Sequence, residues 1–391
     1  TRLVSDWSSD VCSSDLAGAA LSPEDSSRRP RLLTGQSKVR NLAGSTQQQT
    51  EAAMTLYAAI DLHSNNGVLS ILDDHDRVVF ERRLPNDLGQ VLQALAPYRD
   101  ALDSVVVEST YNWYWLVDGL LDAGYKARLA HAAAIPQYAG LKHSDDRTDA
   151  RHLAHMSRLK LLPEGYIYPR EQRGLRDLLR RRFLLVRQSV TLTNSLQGAW
   201  SRRTGHGIKC NDLHKVSAEV IERTFADIHE RLAVEAELEL LRCLGKQVDQ
   251  IERWILAEIR HTPALEAVRS TPGIGVVLGS TIVLETGDIS RFGSVGEYAS
   301  YCRMVESKRI SNGKKKGQGN AKNGNRYLSW AWIEAANFGI RLSPEIQRWF
   351  ARKASKKPRP VAIKSVAHKL ARAGYYLIKD GGRFDVKRSF G

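Results

Sequence analysis

Short apolar runs separated by polar turns fill residues 54–130 and point to a sheet. Leu56-Tyr-Ala-Ala-Ile60 runs into Asp61, and Gly67-Val-Leu-Ser-Ile-Leu72 follows the polar turn His63-Ser-Asn-Asn66, the pattern of a hairpin. Arg77 to Leu84, centred on Val78, Val79 and Phe80, gives a third strand. Leu88, Val91, Leu92 and Leu95 have the spacing of one helix face. Ser104-Val-Val-Val107 reads as a buried strand ending at Glu108, Trp115–Leu121 as a helix and Ala127–Ala130 as another strand. Three hairpin strands followed by alternating helices and strands is the order of an α/β sheet with an antiparallel half.

Two carboxylates, Asp61 and Glu108, therefore stand at the carboxyl ends of strands, where α/β sheets hold their ligands. A third acidic group, Asp145-Asp146-Arg-Thr-Asp149-Ala150, opens a helix that continues through Leu153 and Met156. Asp146 and Asp149 are three residues apart, so they share a helix face with Cβ atoms about 5–6 Å apart. Asp61, Glu108, Asp146 and Asp149 together could surround a pair of Mg²⁺ ions and clamp a phosphodiester. Singly, each reads more readily as a turn or cap residue, and either Asp145 or Asp146 could N-cap the helix; their joint arrangement is what favours metal. The aromatic run Tyr111-Asn-Trp-Tyr-Trp115 after Glu108 suits helix packing, with base stacking as the alternative.

Charge divides sharply along the 391 residues. Residues 54–150 hold 8 Lys/Arg against 14 Asp/Glu, whereas residues 151–391 hold 44 against 23. The basic part suits a polyanion, through release of condensed counterions. The acidic part would repel that polyanion unless its carboxylates bind metal. No run approaches the roughly 18–20 apolar residues that cross a bilayer, which excludes a membrane-spanning helix. Cys12, Cys210, Cys243 and Cys302 are too dispersed for a disulfide framework or a cysteine zinc site, as expected in a reducing cytoplasm. Residues 1–53 hold 6 Lys/Arg and 6 Asp/Glu and show no sustained amphipathic period. Val4–Leu16 resembles the translation of a sequencing adapter, so this segment is expected to be artefact or upstream translation ahead of Met54.

Beyond an acidic domain at 54–160, a helical linker is expected at 171–260 and a basic domain at 261–391. Leucines from Leu175 to Leu192 mark a long helix from Glu171 towards Ser201, carrying the basic run Arg180-Arg181-Arg182. A second helical stretch runs from near Leu213 to near Arg260, where Leu241, Leu244, Val248, Ile251 and Ile255 form a coiled-coil seam. That seam could join protomers or pack on the first helix as an antiparallel pair. Ser270-Thr-Pro-Gly-Ile-Gly275 before Val276–Leu284 is like a helix-hairpin-helix turn, whose backbone N–H groups can approach phosphate. Residues 303–326 contain eight Lys/Arg, Glu306 as the sole acidic residue, and four glycines. They read as a loop ordered by a phosphate backbone, with Lys308, Arg309, Lys314, Lys315, Lys316, Lys322 and Arg326 as its contacts. Trp330, Trp332 and Phe338 fit the core of a helix over Tyr327–Arg341, and a basic tail follows from Lys353.

The order Asp61, Glu108, then Asp146-Arg-Thr-Asp-Ala150 resembles the DEDD transposases of insertion sequences. So does the segment TPGIGVVLGSTIVLETGDISRF with the later SNGKKKGQGNAKNGNRYLSWA, which is similar to that family's C-terminal domain. The resemblance implies an RNase H-like, resolvase-like N-terminal fold, a helical coiled-coil middle and a mainly α C-terminal domain. It also implies a DNA recombinase using Mg²⁺ at the four carboxylates, an oligomer, and guidance by a structured RNA. Ser311, in Ile310-Ser-Asn-Gly313, takes the position of the family's serine nucleophile, with Ser307 as the alternative. Two rival functions remain: a junction-resolving nuclease that uses water, and a non-catalytic nucleic-acid-binding remnant.

Overall fold

The computed structural model describes residues 54–131, 134–135, 145–307, 309–317 and 323–391, with the side chains of Arg309 and Lys315 also left out. The expected artefact at 1–53 and the candidate contacts Lys308 and Lys322 lie outside the described residues.

A six-stranded sheet forms the first half, in the order β3-β2-β1-β4-β5-β6. Strands β1 (Leu56–Leu62), β2 (Asn66–Leu72) and β3 (Val78–Pro85) make an antiparallel meander. Strands β4 (Leu102–Glu108) and β5 (Ala127–Ala130) continue from β1 in parallel, and short β6 (Glu164–Gly165) closes the edge antiparallel to β5. The sheet thus runs past the boundary expected at residue 160.

Strand alternation sends the side chains to two cores. Ala58, Ile60 and Leu62 of β1, with Val105 and Val107 of β4, pack under helices α1 (Leu88–Leu95) and α2 (Tyr114–Asp122). Ala59 and Val106 face the other way, against Leu153, Ala154 and Met156 of α3 (Asp146–Arg158). Helix α1 begins at Asp87, whose carboxylate accepts from the Gln90 N–H and satisfies one of the free donors of the first turn.

The rest is mostly helical. Helix α4 (Arg170–Thr204) pairs along its length with α7 (Ile228–Ile259). Leu196, late in α4, shares a core with Val234, Leu238 and Leu241, early in α7. Leu179, early in α4, lies with Ile255 and Ile259 near the end of α7, so the two helices run antiparallel. The heptad seam is therefore used within the chain at Leu241 and Ile255. The expected continuous helix from Leu213 is instead three: α5 (Cys210–Leu213), α6 (Ala218–Thr224) and α7. The chain turns at Phe225, which is buried, and Asp227 caps α7 by accepting from the His229 and Glu230 N–H groups.

Helices α8 (Pro263–Arg269), α9 (Val276–Thr286), α10 (Val295–Tyr301), α11 (Arg326–Leu342), α12 (Pro344–Ala354), α13 (Arg359–Asp380) and α14 (Val386–Phe390) build a C-terminal core around Tyr298, Trp332 and Leu370. The turn at Gly273, with φ +91°, presses on α11; a Cβ there would lie 2.6 Å from the Gly339 nitrogen. Close helix packing accounts for that glycine without any phosphate. A hairpin, β7 (Arg309–Ser311) and β8 (Lys314–Gly317), projects between α10 and α11. The segment expected as a loop is thus partly strand. Asn312 and Gly313 have φ +50° and +68°, the two positive angles of a tight hairpin turn.

Candidate metal centre and basic hairpin

Asp61 and Glu108 end adjacent parallel strands whose last matched pair is Ile60 with Val107. Alternation then turns both carboxylates to the α3 side, where Ala59 and Val106 already point. Strands about 4.8 Å apart bring the two groups side by side. Asp61 is only 4% exposed, and its carboxyl shares a hydrogen bond with that of Glu108. Burial raises the Asp61 pKa, opposed by that hydrogen bond and by His63. Burial, then the hydrogen bond to Asp61 and the charges of Asp61 and Asp149, pushes Glu108 up to about 8. Such crowding of carboxyls costs free energy unless a proton or a cation neutralises it.

Helix α3 supplies the other acids from its first turn. Asp145 is the N-cap: its carboxylate accepts from the Thr148 N–H at 2.7 Å and the Thr148 hydroxyl at 2.6 Å, which hold its pKa down. Asp146 instead reaches the sheet, where Arg83 and His63 meet it. The Arg83 hydrogen bond, against burial, lowers the Asp146 pKa, with His63 adding to it. Arg83 can do this because the sheet register aligns Asp61 with Val68 and Val68 with Arg83, three residues of one row. Asp149 acts electrostatically on both Asp61 and Glu108. All four acids singled out in the sequence therefore converge on one side of the sheet.

His63 was read in the sequence only as part of a turn. Its Nε2 lies 3.4 Å from Asp61 Oδ2 and 3.2 Å from Asp146 Oδ2, and ligand atoms of the three residues fall within 4.8 Å of one another. The available signal was its offset of two from Asp61, which keeps it on the same face as β1 ends. Among the neighbouring aromatics, Trp113 is buried under the Arg173 guanidinium, 4.7 Å away, while Tyr111 is 83% exposed.

Donors that fit a hard divalent cation are thus present as carboxylate oxygens, and the buried His63 Nε2 faces the same oxygens.

Ser311 is not part of this cluster. It ends β7 on the exposed hairpin with Lys314 and Lys316 exposed on the other strand, and Ser307 is half-buried. The hairpin's stem is tied together: the Asn325 N–H donates to the Tyr301 carbonyl at 2.6 Å and Arg303 Nε to the Gly324 carbonyl at 3.0 Å. Arg326 is exposed and stacks on the Tyr327 ring at 5.0 Å. The basic run of α4 is largely spoken for. Arg180 binds both oxygens of Glu285 at 2.7 and 2.8 Å and Arg182 pairs with Glu252 at 2.7 Å, which leaves Arg181 exposed.

Residues 58–201 match a transposase family described as the IS110-type DEDD transposase domain, and residues 265–351 match the transposase family IS116/IS110/IS902. A probable family 20 transposase of Pseudomonas aeruginosa is 24% identical over 319 residues, spanning 78% of this chain and 92% of that protein. The mixed sheet domain and the helical region after it fit such an enzyme. The first match covers the carboxylate face of the sheet and the second the hairpin-bearing helical core. The chain therefore carries two domains of the IS110-family transposases, the machinery by which an insertion sequence transposes its DNA.

Proposed function

We propose that this transposase cuts and rejoins DNA with a serine nucleophile, Ser311, and two Mg²⁺ ions held by Asp61, Glu108, Asp146 and Asp149. The observation that carries the reading is the convergence of buried Asp61, Glu108 and the first turn of α3 on one face of the sheet. Bound there, the metal would supply Lewis-acid polarisation of the scissile phosphate and charge for the leaving oxygen. Asp61, Glu108, Asp146 and Asp149 would hold it, with Glu108 giving up its proton to solvent on binding.

Ser311 Oγ attacks phosphorus, the bond from phosphorus to the leaving sugar oxygen breaks, and that oxygen gains a proton as serine loses one. Lys314 and Lys316 on the facing strand offset the phosphate charge. The phosphoserine link keeps the phosphodiester energy for rejoining, so no nucleotide is consumed. Exposed Arg326 adds to this charge for the DNA backbone, and Lys308, Arg309, Lys315 and Lys322 are further contacts proposed from the sequence. A structured RNA encoded by the element guides the choice of site. Exposed Leu240 and Trp254, two heptads apart on α7 and outside its contact with α4, support assembly as an oligomer.

One observation favours a second reading, a junction nuclease using water: Ser311 stands apart from the acidic cluster. Cleavage of DNA bearing the element's ends separates the two. Asp61→Asn should cut cleavage at least about a hundredfold while leaving nucleic-acid affinity within a few-fold. Unchanged cleavage would refute the metal assignment. Ser311→Ala should abolish the covalent protein–DNA adduct on a denaturing gel. Strand transfer that survives this change would give the site to the water-using nuclease.

A further inference from the structure

We infer that the imidazole of His63 is itself a metal ligand, so that one divalent cation is held by Asp61, His63 and Asp146 together. The inference rests on the reading of the acidic cluster as a metal centre and adds a nitrogen to its oxygen donors.

The first support is geometric. His63 Nε2 is buried although the side chain as a whole is 37% exposed, and what it meets there are the two carboxylates of the cluster. It faces Asp61 Oδ2 at 3.4 Å and Asp146 Oδ2 at 3.2 Å, close enough for attraction. Neighbouring ligands on an octahedral ion with bonds of about 2.1 Å stand about 3 Å apart. The separations match two edges of one coordination polyhedron.

The second support is the way the turn is held. Asn112 Nδ2, from the segment after β4, donates to the His63 carbonyl at 2.9 Å. Asn86 Nδ2, from the end of β3, donates to the same carbonyl at 3.1 Å and to the Ser64 carbonyl at 2.9 Å. Chain reversal between β1 and β2 already has the His63 N–H to Asn66 carbonyl bond at 2.8 Å. The added amides, brought from two other strands, fix the position of His63 rather than the reversal, as a pre-organised ligand requires.

The chemical consequence is a preference. Carboxylates alone suit Mg²⁺, whereas an imidazole nitrogen added to them favours Mn²⁺ and later first-row ions. The test loads the full chain with Mn²⁺ and reads electron spin-echo envelope modulation for ¹⁴N coupled to the metal. A directly bound imidazole nitrogen is expected in the wild type and should vanish in both His63→Ala and His63→Gln. Calorimetry should show the Mn²⁺ dissociation constant rising about tenfold in these variants, and the Mg²⁺ constant changing less. Circular dichroism and a thermal melt establish that the variants are folded. His152 on α3 feels the charge of Asp149, so loss of the signal in the His63 variants is what assigns the nitrogen. Mn²⁺ bound without ¹⁴N coupling, or coupling that survives in the variants, would overturn the role of His63 and leave the acidic centre intact. A wild-type chain that binds no Mn²⁺ would overturn both.

Discussion

Burial beside Asp61 pushes the Glu108 carboxyl up to about 8, and that shift has a sign in stability. Its folded-state pKa, near 8, lies above the unfolded value, so between about pH 5 and 8 the folded chain holds a proton that the unfolded chain has lost. Stability of the metal-free protein is expected to fall as pH rises across that window. Glu108→Gln should flatten the slope, and saturating Mg²⁺ or Mn²⁺ should flatten it too by replacing the proton. Denaturant midpoints at pH 5.5, 6.5 and 7.5, as rough sampling points, measure it; a metal-free stability that rises with pH would contradict the shared proton. Asp61 and Glu108 were legible in the sequence because an acidic residue closing an apolar run betrays the end of a strand. Asp145 and Asp146 could not be told apart there, since only the cap hydrogen bond to Thr148 distinguishes them. The ties of Arg83 and His63 to Asp146 were invisible for a different reason. Their partners lie 63 and 83 residues away in sequence, and only the sheet register brings them in.

At the scale of elements, local periodicity was enough wherever packing agreed with it. Helix α1 runs over Leu88–Leu95 and β5 over Ala127–Ala130 as their spacing and composition indicate. It failed where cations and glycines hid a strand. β7 and β8 lack apolar alternation, and only Asn312-Gly313 signalled the hairpin. The break between α6 and α7 was also missed, because buried Phe225 continues an apolar pattern across it. The turn between α8 and α9 tests how far a glycine motif is structural. Gly273→Ala adds a Cβ at φ +91°, 2.6 Å from the Gly339 nitrogen and 2.8 Å from Phe338 Cβ. Backbone strain and the clash with α11 should together cost about 2–4 kcal/mol. Gly275→Ala two residues on meets no atom within 4 Å and should cost only a few tenths of a kcal/mol as an N-cap change. Equal unfolding midpoints for the two variants would show that α11 does not press on the turn.

For the molecule as a whole, one buried carboxylate joins its helical parts. Glu285 of α9, 2% exposed, receives Arg180 of α4 through both oxygens, and Asn325 Nδ2 donates to it at 2.7 Å. Asn325 also caps α11 and closes the hairpin stem, so the basic hairpin is tied through one residue to the long helix that leads back to the sheet. These ion pairs matter for the charge balance, because they withdraw cations from the surface. What remains available is concentrated late in the chain: Lys314, Lys316, Lys353, Lys356, Lys357 and Arg359 are all exposed. If about six such cations meet duplex phosphates, log affinity should fall with log salt at a slope of about −5, a loss of roughly a thousandfold between about 50 and 200 mM. The sheet domain, with 14 Asp/Glu against 8 Lys/Arg over residues 54–150, adds repulsion that a divalent cation at the carboxylate cluster would relieve. At fixed ionic strength, Mg²⁺ should therefore tighten DNA binding by the wild type more than by Asp61→Asn. Fluorescence anisotropy with a labelled duplex measures both effects. A slope near zero would mean that the excess of Lys and Arg in residues 151–391 does not meet DNA phosphates. Equal Mg²⁺ responses in the two proteins would separate the carboxylate cluster from the DNA it is placed to meet.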